Sequence, residues 1–165
     1  MKEQVILKAN GDLREIDSYL LENDVKKIFL VCGSSIKLLK INNYFDMLEI
    51  RLGIQVVRFS DFTPNPTYES VEKGIELYCE SACDLIVAVG GGSAIDSAKC
   101  TAAGVANDCD VWEYSSKKQM PQNGLPIGCI LTISAAGSEM SDSAVLTNEE
   151  IGKKSGFGTP KNRPK

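Results

Sequence analysis

The sequence contains no histidine among its 165 residues, and its net charge is −4. Without histidine, a zinc site would need a second pair of cysteines. Cys79 and Cys83 are four residues apart and could share a helix face. The simpler interpretation is that the six cysteines are buried free thiols. The acidic balance argues against a nucleic-acid partner, because phosphate binding favours a basic patch.

Long apolar runs are also missing. No segment approaches the roughly 20 apolar residues that cross a bilayer, and residues 1–5 lack the apolar stretch of a signal peptide. We therefore expect no membrane partner and a cytoplasmic location. Apolar residues make up 43% of the chain and charged residues 24%, which suits one packed domain over residues 1–165.

Strand-like and helical patterns alternate along the chain. Short apolar runs predict buried strands at 27–32, 54–59, 85–89 and 127–132, with an extended segment at 143–147. Helical periodicity predicts helices over 12–23, 36–52, 67–81 and 93–106, the third capped by Thr67. The tail, residues 153–165, is expected to be irregular. This alternation predicts a Rossmann-like α/β fold, a parallel sheet with helices on both faces that binds ligands beyond the carboxyl ends of its strands.

The most informative stretch is the strand at 85–89, which runs through Gly90, Gly91 and Gly92 directly into a helix. Glycines let the backbone turn tightly and approach a ligand, and a helix start offers free N–H groups and a partial positive charge. These features predict an anion site suited to a pyrophosphate. The alternatives are a plain tight turn and a capping box made by Ser93 and Asp96. The usual G-x-G-x-x-G fingerprint is absent.

Several segments together resemble one family. GGGSAIDSAK at 90–99 resembles the GGGSxxDxxK segment of the iron-containing (group III) alcohol dehydrogenases. PNPT at 64–67, DVWEY at 110–114 and LTISAAGSEM at 131–140 are similar to further family segments, and GFGTPK at 156–161 resembles its butanol dehydrogenase branch. The resemblance implies the N-terminal cofactor domain of a two-domain, dehydroquinate synthase-like enzyme. Such an enzyme transfers hydride between NAD(P)(H) and a small alcohol or aldehyde.

The resemblance also implies roles for individual residues. Gly91, Gly92 and Ser93 would hold the cofactor pyrophosphate, Asn65 would lie near the adenosine, and Asp96 would lie toward the nicotinamide and substrate. Further cofactor contacts would come from Thr132, Ile133, Ser141, Ser143 and Lys154, the last reaching the ribose. Ala136 stands where the family has a threonine, and Ile133 stands where it often has one.

Cofactor choice depends on the segment after the first strand, Gly33-Ser34-Ser35. NAD-preferring members of the family commonly have an aspartate there. Without a carboxylate nothing repels a 2′-phosphate, so we expect NADP(H) to be favoured over NAD(H). The alternative is that these residues form only a turn.

The family's metal, Fe²⁺ or Zn²⁺, is held by one aspartate and three histidines of a C-terminal helical domain, toward which residues 153–165 would lead. We therefore expect no catalytic residue, no metal site and no dehydrogenase activity in this chain alone. A homodimer is the assembly that we consider for it. One alternative is a nucleotide-binding module without catalysis. Another is a fragment of a phosphonoacetaldehyde reductase-like enzyme, which residues 32–35 and 59–62 resemble.

Overall fold

A four-stranded parallel sheet forms the centre of the protein. The computed structural model describes residues 4–6, 12–61, 63–134 and 136–165. The sheet has the order β2-β1-β3-β4 and contains β1 (Lys27–Cys32), β2 (Gln55–Phe59), β3 (Leu85–Gly90) and β4 (Ile127–Leu131). Cys32 lies beside Val89, and Gly90 lies beside Leu131. All four strands therefore end at one edge of the sheet, and the strand order reverses between β1 and β3.

Helices cover both faces of this sheet. One face packs against α1 (Glu15–Glu22), α2 (Ile41–Asp46) and α3 (Leu48–Leu52) through a buried cluster that includes Leu20, Phe45 and Leu48. The other face packs against α4 (Tyr68–Ser81) and α5 (Gly92–Asn107). Successive strand residues alternate between the two clusters, as the pleat requires. The predicted α/β fold, with a parallel sheet between helices, is confirmed.

A second, two-stranded sheet packs on the far side of α5. It is an antiparallel hairpin of β5 (Ser143–Asn148) and β6 (Lys153–Gly158). Leu146 and Phe157 of the hairpin join a buried cluster with Cys100 and Ala103 of α5 and with Tyr114 of the short helix α6 (Val111–Ser115). The helix α5 is therefore buried on two sides.

The prediction of an irregular tail is wrong for residues 153–158. The segment KKSGFG carries one large apolar residue, so its own pattern is weak. Its pairing runs in register from Ser143 with Gly158 to Asn148 with Lys153, and Phe157 is buried. Pairing with β5 and packing against α6 determine the strand, and neither is visible in the local sequence.

The single helix predicted over 36–52 is also wrong. The chain forms a 3₁₀ helix (Ser34–Leu38), then α2, then α3, and Leu39 between the first two has an extended backbone. Ile36, Phe45 and Leu48 are buried, whereas Leu38 is exposed. Burial of these three side chains in the core outweighs the local preference for one continuous helix. The predicted cap of α4 is confirmed, because the Thr67 side chain accepts a hydrogen bond from the Ser70 N–H at 3.2 Å.

The thiols are free, but they are not all buried. Cys32, Cys83 and Cys100 are buried, Cys109 and Cys129 are partly buried, and Cys79 is exposed. Cys83 lies beyond the end of α4, so it does not share a helix with Cys79. In the part of the chain that the structure describes, no group of three or more Cys, Asp or Glu side chains is placed to hold a metal ion, and no helix has the length and apolar character of a membrane span.

The burial of β6 generates a stability prediction. Phe157→Ala should lower the free energy of unfolding by about 3 kcal/mol, because the ring is buried and lies 5.7 Å from that of Tyr114. Ile151→Ala, in the exposed turn of the same hairpin, is the matched control and should change it by less than about 0.5 kcal/mol. Urea unfolding measures both. Equal, small effects would mean that β6 is not part of the packed domain.

Candidate functional site

Predicted site residues follow the carboxyl end of each of the four parallel strands. Gly33 comes directly after β1, Asn65 lies in the loop after β2, Gly91 follows β3 and Thr132 follows β4. Because these strands end at one edge, the sheet brings four separate segments of the chain together. A crevice at such an edge, where the strand order reverses, is where open α/β sheets bind ligands.

The glycine turn has two parts with different requirements. Gly90 has φ of 155°, and a Cβ there would lie 2.9 Å from the Cβ of Ala94, so this position requires glycine. Gly91 has an ordinary extended backbone, with φ of −98° and ψ of −162°. A Cβ at Gly91 would meet nothing within 4 Å. The second glycine therefore faces open space, which a ligand approaching the backbone could occupy.

The start of α5 leaves backbone donors beside this space. The helix has 16 residues, Gly91 is its N-cap, and no side chain caps it. Its first backbone hydrogen bond runs from the Ile95 N–H to the Gly91 carbonyl at 3.3 Å. The N–H groups of Gly92, Ser93 and Ala94 therefore precede the helical ladder, at the end of the helix that carries a partial positive charge.

The alternative of a capping box is wrong. Ser93 is the second residue of α5 and not its N-cap. Its hydroxyl oxygen accepts a hydrogen bond from the Asn65 N–H at 3.2 Å, and Oδ2 of Asp96 accepts one from the Val145 N–H at 3.3 Å. Both side chains bond to other parts of the chain, so they leave the helix start without a cap.

Three of the predicted residues meet where the loop after β2 crosses the start of α5. Besides the bond from Asn65 to Ser93, Nζ of Lys154 donates to Oδ1 of Asn65 at 2.7 Å. Asn65 has a positive φ of 67°, a conformation that asparagine tolerates better than most residues. The hairpin thus places a cation next to the glycine turn, and Lys154 is exposed.

The segment after β4 lies against the same helix. The Thr132 N–H donates to the Gly90 carbonyl at 3.1 Å. Further along, Oγ of Ser138 lies 3.4 Å from where a Cβ at Gly92 would be. Ser141 and Ser143 are neighbours, since the Ser143 N–H donates to the Ser141 hydroxyl at 2.9 Å.

One buried lysine holds this segment, and the sequence did not single it out as a site residue. Nζ of Lys99 donates to the backbone carbonyls of Ser138, Ser141 and Ser143 at 2.7, 2.8 and 2.9 Å. Lys99 has no exposed surface. The available signal was a lysine among the small and apolar residues of α5, three positions after Asp96.

The described residues satisfy only part of the hydrogen-bonding capacity of the Asp96 carboxylate. Its Oδ1 is buried and has no hydrogen-bond partner among them. Burial raises the pKa of this carboxyl, while the Lys99 cation and hydrogen bonding from the Val145 N–H and the Ser138 hydroxyl act in the opposite direction. Buried polar atoms in folded proteins are usually hydrogen-bonded, and within the described residues the Ser138 hydroxyl is a donor close enough to stabilise this carboxylate.

Ile133, Ser34 and Ser35 make no side-chain hydrogen bond to the rest of the predicted site within the described residues. Ile133 is 66% exposed and has no polar atom in its side chain. Ser34 and Ser35 are exposed at the end of β1. A cation that the sequence did not single out lies close to this end, because Nη1 of Arg58 is 4.0 Å from Sγ of Cys32, the last residue of β1. Nη2 of Arg58 donates to Oδ1 of Asp46 at 2.6 Å.

Comparisons with known proteins agree with this architecture. Residues 4–165 match the sequence model of a family described as "Iron-containing alcohol dehydrogenase". The chain is 38% identical over 162 residues to the probable NADH-dependent butanol dehydrogenase 1 of Bacillus subtilis, covering 97% of this chain and 41% of that protein. It is 30% identical over 141 residues to the NADPH-dependent aldehyde reductase YqhD of Escherichia coli, covering 83% of this chain and 36% of that protein.

A solved structure is similar over the full chain. The NADH-dependent butanol dehydrogenase A of Thermotoga maritima superposes with a TM-score of 0.86 at 29% identity, covering 100% of this chain and 43% of that one. The chain thus spans about two fifths of the length of the relatives that it matches.

Proposed function

The chain belongs to the iron-containing alcohol dehydrogenase family, and we propose that it forms the part of such an enzyme that binds NAD(P)(H). The complete reaction would transfer a hydride between this cofactor and a small alcohol or aldehyde. The observation that carries the proposal is the glycine turn, where the open space at Gly91 adjoins the free N–H groups at the start of α5.

The pyrophosphate of the cofactor would occupy this space. The N–H groups of Gly92, Ser93 and Ala94 would donate to its oxygens, and hydrogen bonds to a charged group are worth about 1.5 to 3 kcal/mol each. The partial positive charge of the α5 start adds to the attraction. A side chain at position 91 would fill the same volume, so the absence of a Cβ is what the cradle requires.

The remaining residues would orient the two halves of the cofactor. Asn65 and Lys154, joined by their 2.7 Å hydrogen bond, would contact the adenosine side and the ribose. Asp96, which is half-buried beside Ser138, would lie toward the nicotinamide side. Thr132, Ile133, Ser141 and Ser143 would contact the cofactor from the segment after β4.

The residues of this chain do not fit the metal that the family name implies. The chain has no histidine, and the described residues contain no cluster of three or more metal-ligating side chains. In the complete enzyme a metal ion would polarise the substrate oxygen while the cofactor carries the hydride. The role proposed for this chain is therefore to bind and orient the cofactor.

The central test is a substitution at Gly91. Gly91→Val should lower the affinity for NADPH and NADH at least tenfold, because the valine side chain occupies the phosphate space. The unfolding midpoint should stay unchanged, since valine tolerates the extended backbone and a Cβ meets no atom within 4 Å. Isothermal titration measures affinity, and Met120→Val, at an exposed position before β4, is the control. No heat from the native chain with either cofactor at millimolar concentration would refute the proposed site.

We further propose that NADP(H) is favoured over NAD(H). The support is local, since Gly33 places no carboxylate directly after β1, Ser34 and Ser35 are exposed, and the Arg58 guanidinium, which is paired with Asp46, lies near the end of β1. Among the relatives described above, the Bacillus and Thermotoga proteins are named as NADH-dependent and the Escherichia protein as NADPH-dependent.

A charge at position 33 tests this preference. Gly33→Asp should weaken NADPH binding by about 1 to 4 kcal/mol through repulsion of the 2′-phosphate, a loss of about five- to several-hundredfold. NADH affinity should be kept or improved. Backbone strain does not confound the result, because Gly33 has an extended backbone with φ of −71°. Gly33→Asn is the neutral control, and unchanged NADPH affinity in the aspartate variant would mean that the adenosine ribose lies elsewhere.

We also propose that this chain alone catalyses no turnover, because it lacks the histidines of the metal site that the family resemblance implies. The purified 165-residue chain, free of host enzymes, should reduce no butanal and oxidise no butanol in the presence of NADPH or NADP⁺ with added Fe²⁺ or Zn²⁺. Absorbance at the nicotinamide band follows the reaction. Measurable turnover that copurifies with the chain would contradict the proposal.

A further inference from the structure

We propose that Lys99 is a positioning residue that holds the segment from Ser138 to Ser143 against α5 and thereby shapes the nicotinamide side of the cofactor site. This inference rests on the proposed cofactor site. It assigns to one buried side chain of α5 the task of joining the glycine-turn helix to the segment after β4.

The ammonium group of Lys99 uses its full donor capacity on this segment. A lysine has three N–H donors, and Nζ makes three hydrogen bonds of 2.7, 2.8 and 2.9 Å. All three acceptors are backbone carbonyls, and they belong to one short stretch of chain. The lysine therefore fixes the path of the backbone at three points, independently of the side chains that this stretch carries.

A lysine is a costly way to fill this position if packing is the only requirement. The residue is fully buried, and burial lowers the pKa of its ammonium group, although the nearby Asp96 carboxylate opposes this shift. Taking an ammonium group out of water carries a desolvation cost that an apolar side chain of similar length would not incur. A core that needed only bulk between α5 and β5 would accept methionine here. The charged group indicates a requirement for the geometry of the three carbonyls.

The held segment lies next to groups of the proposed site at both ends. It begins at Ser138, whose hydroxyl lies 3.4 Å from where a Cβ at Gly92 would be. It leads into β5, where the Val145 N–H binds Asp96. Asp96 precedes Lys99 by three residues on α5, so the two side chains lie on neighbouring positions of one helix face. A shift of the segment would therefore move the surroundings of the Asp96 carboxylate as well as those of Gly92.

The expected effect differs between the two halves of the cofactor. In the proposed site the adenosine half would lie toward β1 and β2, whereas the segment held by Lys99 follows β4, on the other side of β3 in the sheet. Loosening this segment should weaken the dinucleotide and leave the mononucleotide largely unaffected. A purely structural role would instead lower both affinities by the same factor, through a smaller folded fraction.

The experiment compares Lys99→Met with the native chain by isothermal titration. The ligands are the dinucleotide that the native chain binds more tightly and its adenosine mononucleotide, AMP for NADH or 2′-phospho-AMP for NADPH. We expect a loss of at least tenfold for the dinucleotide and less than twofold for the mononucleotide. Hydrogen exchange should become faster in residues 136–143 and stay unchanged in the sheet. Equal losses for both ligands, or unchanged dinucleotide affinity, would overturn the inference.

A second variant decides the question if Lys99→Met does not fold. Lys99→Arg keeps the charge, but its planar fork cannot direct three donors from one atom. It should show the same selective loss for the dinucleotide to a smaller extent, whereas native affinity for both ligands would overturn the inference. If the native chain binds neither ligand, the proposed function fails first. If the native chain binds both and the variants lose both equally, only the role of Lys99 fails.

Discussion

Burial of α5 between two β-layers is the constraint on which the rest of the structure depends. One side of the helix packs on the parallel sheet, and the other packs on the β5–β6 hairpin. A helix enclosed in this way can present only its ends to solvent. Its N-terminus coincides with the glycine turn at the carboxyl edge of the sheet, so the same packing that stabilises the domain also exposes the backbone donors of the proposed site.

The polar contacts around α5 follow from this enclosure. Ser93, Asp96 and Lys99 lie on successive turns and bond to the loop after β2, to β5 and to the segment after β4. Each contact satisfies a buried or half-buried polar group that would otherwise carry a desolvation cost. The helix therefore acts as the common support for three segments that are far apart in the sequence, which explains why so many of the predicted residues meet at its start.

The parallel sheet and the glycine turn could be predicted because their signals are local. The run KIFLVC has the bounds of β1 as the structure gives them, and the three glycines span the junction between β3 and α5. The strand β6 and the break after Leu38 could not be predicted in the same way. A strand with one buried residue depends on its partner, and the break depends on which of several apolar side chains find room in the core.

The candidate site likewise has features with a local sequence signal and features that depend on tertiary contacts. The run of glycines between a strand and a helix predicts an anion-binding turn from the sequence alone, because glycine permits the tight backbone geometry that such a turn needs. The meeting of Asn65 with Lys154, and the three bonds of Lys99, exist only after the hairpin has docked on α5. Sequence could supply candidates for such contacts through family resemblance, as it did for Lys154, but it could not supply the buried role of Lys99.

The bond between Asn65 and Lys154 joins residues that are 89 positions apart. Contacts of such sequence separation form late during folding, because the chain must first lose the entropy of closing a long loop. A nascent chain that has reached α5 but not the hairpin would hold the glycine turn without the lysine beside it. The nucleotide of the proposed site would then gain its contact with Lys154 only after the hairpin has docked, and a ligand that binds the folded state shifts the equilibrium toward it.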